Sequence, residues 1–196
     1  MSKETINSPS TESLAEAAKA AQGKGLPPVH LWTPDLSGDM DMRIARDGTW
    51  FHEGTPINRE GLVRLFSTIL KREGDAYFLV TPVEKWRIEV EDAPFVAVDF
   101  EAEGEGEAQS LIFETNVGDR VVAGKDNAIR VERDDATGEP APYVMVRDGL
   151  EALIDRKSFY RLVEIGAEVE GWFGLWSEGV FFRVIPADEM KGEDGA

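Results

Sequence analysis

Two stretches of this chain carry one signature in one order, and that recurrence constrains the fold more than any single motif. Met42-Arg-Ile-Ala-Arg46-Asp47-Gly48 ends in the same three residues as Tyr143-Val-Met-Val-Arg147-Asp148-Gly149. Further on, Ile57-Asn-Arg-Glu-Gly-Leu-Val-Arg-Leu-Phe66 aligns with Ile154-Asp-Arg-Lys-Ser-Phe-Tyr-Arg-Leu-Val163, so Arg59 matches Arg156 and Arg64 matches Arg161. Each Asp-Gly pair is a hairpin signal between short strands. After the first, Asn58 stands where an N-cap belongs, and Leu62, Leu65, Phe66, Ile69 and Leu70 recur at helical spacing. In the second copy Asp155 takes the cap position, and Phe159, Leu162 and Val163 form the stripe, which ends near Gly166.

Strand patterns follow both helices. In Val83–Val90, Trp86, Ile88 and Val90 alternate with Lys85, Arg87 and Glu89, as a half-buried antiparallel strand does. Residues 171–176 and 180–185 read as a hairpin about Ser177-Glu178-Gly179, and residues 95–103, 110–115, 120–123 and 127–132 as further strands. The expected class is α+β with mostly antiparallel sheet: two repeated β-hairpin–helix–β units packed together. The expected division is a flexible N-terminal tail over 1–28, a first unit with extra strands over 29–133, a second unit over 141–186 and a frayed end over 187–196. Asp134–Pro140 is the expected linker, and residues 14–21 read as a short surface helix within the loose tail.

Charge and composition narrow the function. The 196 residues hold 21 Lys+Arg against 38 Asp+Glu, a net charge of −17, which disfavours nucleic acid or an anionic membrane as principal partner. No cysteine is present, so disulfides, thiolate metal sites and cysteine nucleophiles are excluded. No apolar run approaches a membrane span, and the start lacks a secretory h-region, so a cytoplasmic protein is expected.

Several motifs match a family as well. Asp47-Gly-Thr-Trp-Phe-His52, Gly54-Thr-Pro-Ile57, Thr81-Pro-Val-Glu-Lys85 and Glu91-Asp-Ala-Pro-Phe95 carry the resemblance, with Thr115-Asn-Val-Gly-Asp119, Pro142–Arg147 and Trp176-Ser-Glu-Gly179. On these residues the chain resembles an uncharacterised, mainly proteobacterial domain-of-unknown-function family. That resemblance implies a cytosolic protein with an α+β fold, repeated motifs and a role in signalling. It implies no enzyme and no established site.

Candidate chemistry is sparse. The two histidines, His30 and His52, lack metal-ligand spacing, so no metal and no cofactor is expected. Residues 35–46 fail as a calcium loop, with Met40 where Gly belongs and Arg46 where Glu belongs. Residues 104–109 fail the dinucleotide fingerprint, and residues 174–179 fail the nucleophile elbow.

In so acidic a chain, Arg59, Arg156, Arg46 and Arg147 are scarce cations placed alike in both copies, near turns and helix starts where anions are favoured. The expected ligand-binding set is His52, Arg59, Glu84, Lys85 and Arg156, with no catalytic residue. The expected function is a regulatory binding module for a small polar or anionic ligand or a protein partner. The alternative is a small enzyme using His52 with Glu84 or Arg59 on a polar metabolite. The bland account of the arginines is that they pair with local carboxylates. Trp172, Phe173, Trp176, Phe181 and Phe182 crowd one hairpin; a surplus on its outer face marks a protein interface, of which homodimerisation is the mild version.

Overall fold

A computed structural model of the chain describes residues 9–191; residues 1–8 and 192–196, the outer parts of the expected tail and frayed end, lie outside the described residues. The chain divides into two compact units, Met1–Pro94 and Phe95–Ala196. The class is mixed α and β with mostly antiparallel sheet.

The N-terminal unit opens with helix α1, Thr11–Ala21, followed by a single 3₁₀ turn at Val29–Leu31. Strands β1 (Gly38–Ile44), β2 (Trp50–His52) and β3 (Thr55–Pro56) lead into helix α2 (Glu60–Thr68), then β4 (Leu70–Glu73), β5 (Ala76–Val80) and β6 (Lys85–Val90). One six-stranded sheet takes the order β3-β2-β1-β6-β5-β4, with β1 and β6 the parallel pair. Met42, Ile44 and Trp50 share one face, each almost wholly buried, and Phe66 of α2 lies 6.3 Å from the Trp50 ring. Burying side chains of this size contributes about 1.5–3 kcal/mol each. The opposite face is charged and carries Arg43 and Phe51 in one pair and Phe78 and Arg87 in another.

The C-terminal unit runs β7 (Phe95–Glu103), β8 (Ser110–Thr115), β9 (Arg120–Val122), β10 (Ile129–Arg133), β11 (Pro140–Arg147) and β12 (Leu150–Ile154). Helix α3 (Arg156–Glu164), β13 (Ala167–Val169), β14 (Trp172–Ser177), β15 (Val180–Pro186) and the short α4 (Ala187–Met190) complete it. Its six-stranded sheet takes the order β10-β11-β12-β7-β8-β9, and β13-β14-β15 form a second, antiparallel sheet. The order hairpin, helix, three-strand meander thus occurs in each unit, but the meander joins the hairpin's own sheet in the first and stands apart in the second.

Four expectations need correction. Residues 134–139 of that expected linker are the loop of the β10–β11 hairpin, closed by Asp134 accepting from the N–H groups of Ala136 and Thr137, and the units divide at Pro94/Phe95. Strands β7–β10, expected with the first unit, therefore belong to the second. The helix within the tail is tied down: Ser10 caps α1 by accepting from Ser13 N–H, Leu14 and Ala18 are fully buried, and α1 packs on α2. The chain from Ala187 begins as a helical turn whose Glu189 pairs with Arg133 at 2.5 Å.

On the aromatic hairpin Phe182 is buried, while Trp172, Phe173, Trp176 and Phe181 are half-buried. Phe173 occupies the space a Cβ on Gly166 would fill, at 2.1 Å, and Phe181 does the same at Gly174, at 2.6 Å. The two glycines are the seats of the rings, and Trp176 stacks on Phe181 at 5.1 Å.

Candidate functional site

The expected ligand residues do not converge. His52 stands opposite Met42 and so faces the helix side of the first sheet, whereas Lys85 shares the opposite, charged face with Phe78 and Arg87. Lys85 is engaged there: its ammonium lies 3.0 Å from Glu73 and 4.8 Å from the centre of the Phe78 ring. Lys85 and Lys71 hold the Glu73 carboxyl below the usual carboxylate range, the Lys85 hydrogen bond contributing most.

Glu84 sits half-buried in the β5–β6 turn, where its N–H donates to the Thr81 hydroxyl at 3.1 Å. His52 and Glu84 are separated by the width of β1 and by more than the step from Met42 to Gly38 along it, so they share no site. Arg156 belongs to the other unit, at the first turn of α3, and pairs with Glu139 at 3.3 Å.

The other matched arginines pin turns. Arg46 lies 3.4 Å from Asp92, and its backbone N–H donates to Glu91. Arg147 pairs with Asp119 at 2.6 Å and stands 5.1 Å over the Phe95 ring. Other residues of the shared motifs are likewise structural. Asn116 accepts from Val96 N–H, and the wholly buried Ser177 accepts from Leu111 N–H while donating to the Ala123 carbonyl at 2.6 Å.

Arg59 differs from these. It occupies the N-cap position of α2, one residue beyond the expected Asn58, and no side chain caps that helix. Its side chain is 71% exposed, and its guanidinium meets Glu12 of α1 only at 4.0 Å, the outer limit of an ion pair. The two helices enclose an open groove of about 370 Å³. Ala15, Leu62 and Leu65 supply its apolar floor, and Glu12, Glu16, Lys19 and Arg59 its charged rim. Gly61 leaves open space where a side chain on the first turn of α2 would stand.

The Glu12 carboxyl is held below its ordinary value, chiefly by its own backbone N–H and the Thr11 hydroxyl, with Arg59 and His52 adding to the effect. Glu12, Glu16 and Lys19 are absent from the sequence-based set because α1 was expected to be loose. The signal was present: a Ser10-x-x-Ser13 start and small apolar residues at Leu14, Ala15 and Ala18, spaced to lie on one helical face. Among the described residues no group of three or more His, Asp or Glu could hold a metal ion, and no helix is long and apolar enough to cross a membrane.

With the fold and this groove described, the comparisons place the chain. Residues 27–93 match the family model "Domain of unknown function (DUF1285), N-terminal domain", and residues 94–184 match "Protein of unknown function (DUF1285), C-terminal domain". That boundary falls within one residue of the structural division at Pro94/Phe95.

A crystal structure of a DUF1285 family protein from Silicibacter pomeroyi DSS-3 is 63% identical, with a TM-score of 0.86 over 91% of this chain and 97% of that one. A second, from Shewanella baltica OS155, is 30% identical, with a TM-score of 0.50 over 64% of this chain and 91% of that one. The chain belongs to the DUF1285 family. No curated protein matches it. Helix α1 lies before the residues that the N-terminal family model matches.

Proposed function

We propose that this protein is a cytoplasmic regulatory module, acting in signal transduction by binding a small polar ligand in the α1–α2 groove. The observation that carries the reading is Arg59: an exposed cation above an apolar floor, with a carboxylate partner at the limit of contact. The volume lies in the range of small-molecule sites.

Its rim defines the ligand. Arg59 and Lys19 suit an anionic group, while Glu12 and Glu16 accept from hydroxyls or amines. A metabolite anionic at one end and donor-rich at the other satisfies both sides. Arg59 gives up little by turning to it, since exposed pairs are worth about 0–1 kcal/mol.

The matched position in the second unit supports a division of labour. Arg156 follows a helix start already capped by Asp155, whereas Arg59 stands at an uncapped one. We read the recurring hairpin–helix–meander as a repeat in which the first copy kept an open helix start and the second closed it.

A thermal-shift screen against nucleotides, amino acids, organic acids and sugar phosphates tests the reading. At a hundredfold excess over Kd a ligand stabilises the native state by about 2.7 kcal/mol. The expected outcome is a hit abolished by Arg59→Ala and unaffected by Arg156→Ala. A hit indifferent to Arg59→Ala overturns this site, as does no hit across the library.

A further inference from the structure

In the C-terminal unit β7 is longer than its neighbour. It pairs with β8 from Ala97 to Glu103, whereas β12 pairs with it only through Phe95, Val96 and Ala97. Among the described residues, no strand lies on the β12 side of β7 beyond Ala97. A bulge at Val98 turns the strand there, and the side chains of α3 reach the bare edge instead. Lys157 donates to the Val98 carbonyl at 3.2 Å and Arg161 to the Phe100 carbonyl at 3.2 Å. By strand alternation Ala102 turns its N–H and C=O to the same edge.

A groove of about 410 Å³ lies along it, lined by Phe100, Glu101, Ala102, Arg161, Glu164 and Ile165. Ile165 is 38% exposed. Asp99 binds Arg161, which with the Phe100 N–H holds that carboxyl below its ordinary range.

We propose that the open edge of β7 over Val98–Glu103 is a docking site for an extended basic peptide, which adds as a strand beside it. Backbone groups of the peptide would replace the Lys157 and Arg161 side chains on the edge carbonyls, as strand addition does at other exposed edges. Charge chooses the occupant. Asp99, Glu101 and Glu103 alternate on one face of β7, and Glu164 stands on the facing helix; Asp99 pairs with Arg161 and Glu101 with Arg120, which leaves Glu103 and Glu164 to an incoming cation. A second copy paired through this edge would set those acidic rows side by side, which is repulsive. Lys or Arg on the incoming strand meets Glu103 and Glu164 instead. The apolar residues between would lie toward Phe100 and Ile165.

The test uses the full chain and a fluorescent peptide that alternates Lys with Val, followed by anisotropy. Three comparisons are made: the same peptide N-methylated at alternate amides, the peptide with Glu for Lys, and the Ala102→Pro and Glu164→Lys variants. Methylation keeps the charge but removes the edge hydrogen bonds, so the methylated peptide is expected to bind at least roughly tenfold more weakly.

The Glu peptide is expected not to bind, and both variants to bind the Lys peptide more weakly. Pro is tolerated at an edge, where the lost N–H faces no native partner. Should Ala102→Pro misfold, the methylated peptide against wild type still decides. Equal binding of methylated and parent peptides overturns strand addition. Equal binding of the Glu peptide overturns the charge match, and no binding of the Lys peptide overturns the site.

Discussion

Ser158 and Ser177 are both wholly buried serines, yet they stand in opposite states. The Ser177 hydroxyl accepts from Leu111 N–H and donates to the Ala123 carbonyl, tying the β14–β15 turn to the ends of β8 and β9. Among the described residues the Ser158 hydroxyl has no partner; its backbone N–H donates to Asp155. An unpaired buried hydroxyl costs about 1–3 kcal/mol, whereas a satisfied one repays its desolvation. Ser158→Ala is therefore expected to raise stability by about 1 kcal/mol, helped by the better helix propensity of Ala. Ser177→Ala is expected to lower it by about 2 kcal/mol, because two backbone groups lose their partner. Denaturant titration of the two variants checks both, and a loss of stability in Ser158→Ala contradicts the assignment. Neither state is legible in sequence: Ser158 looks like an ordinary first-turn serine, and the partners of Ser177 lie far away in the chain.

At the scale of elements, periodicity and turn chemistry were informative where they act locally. Strands β7 and β8 occupy the expected spans, and both Asp-Gly pairs close hairpins. The two turns nonetheless differ. Asp148 and Gly149 both take the left-handed conformation of a two-residue turn, whereas in the first only Gly48 does, in a longer loop closed from Ala45.

Helix α2 ends earlier than its apolar stripe, since Leu70 already pairs with Leu79 in β4–β5. A buried strand residue and a buried helix residue look alike when they follow one another. The caps expected at Asn58 and Asp155 also part company: Asp155 accepts from Ser158 N–H at 2.8 Å, while the chain enters α2 one residue later than Asn58. Asp155→Ala is expected to cost about 1 kcal/mol and Asn58→Ala to stay within about 0.5 kcal/mol. Thermal unfolding of the two variants, measured together, checks this; equal losses would mean that both helices are capped alike.

For the whole molecule, the recurring motif was visible because it is written in adjacent residues. The division at Pro94/Phe95 was not, because the polar stretch 134–139 resembles a linker in composition and is in fact a hairpin loop. The candidate site shows the same limit. Arg59 could be singled out by its scarcity and placement, but its companions Glu12, Glu16 and Lys19 come from a helix in a different part of the chain. Lys85, on the opposite face of the sheet, and Arg156, in the other unit, could not be separated from Arg59 without the strand register.

Helix α1 has 11 residues, too few to be stable alone in water, so its order depends on its seat against α2. A ligand held between the two helices must therefore slow the opening of α1. Amide hydrogen–deuterium exchange of the full chain, with and without the thermal-shift hit at saturating concentration, measures this directly. The account predicts slowed exchange over Ser13–Ala21 and the first turn of α2, and none of that slowing in Arg59→Ala. Protection confined to residues outside these two helices, or unchanged exchange across α1, would contradict it.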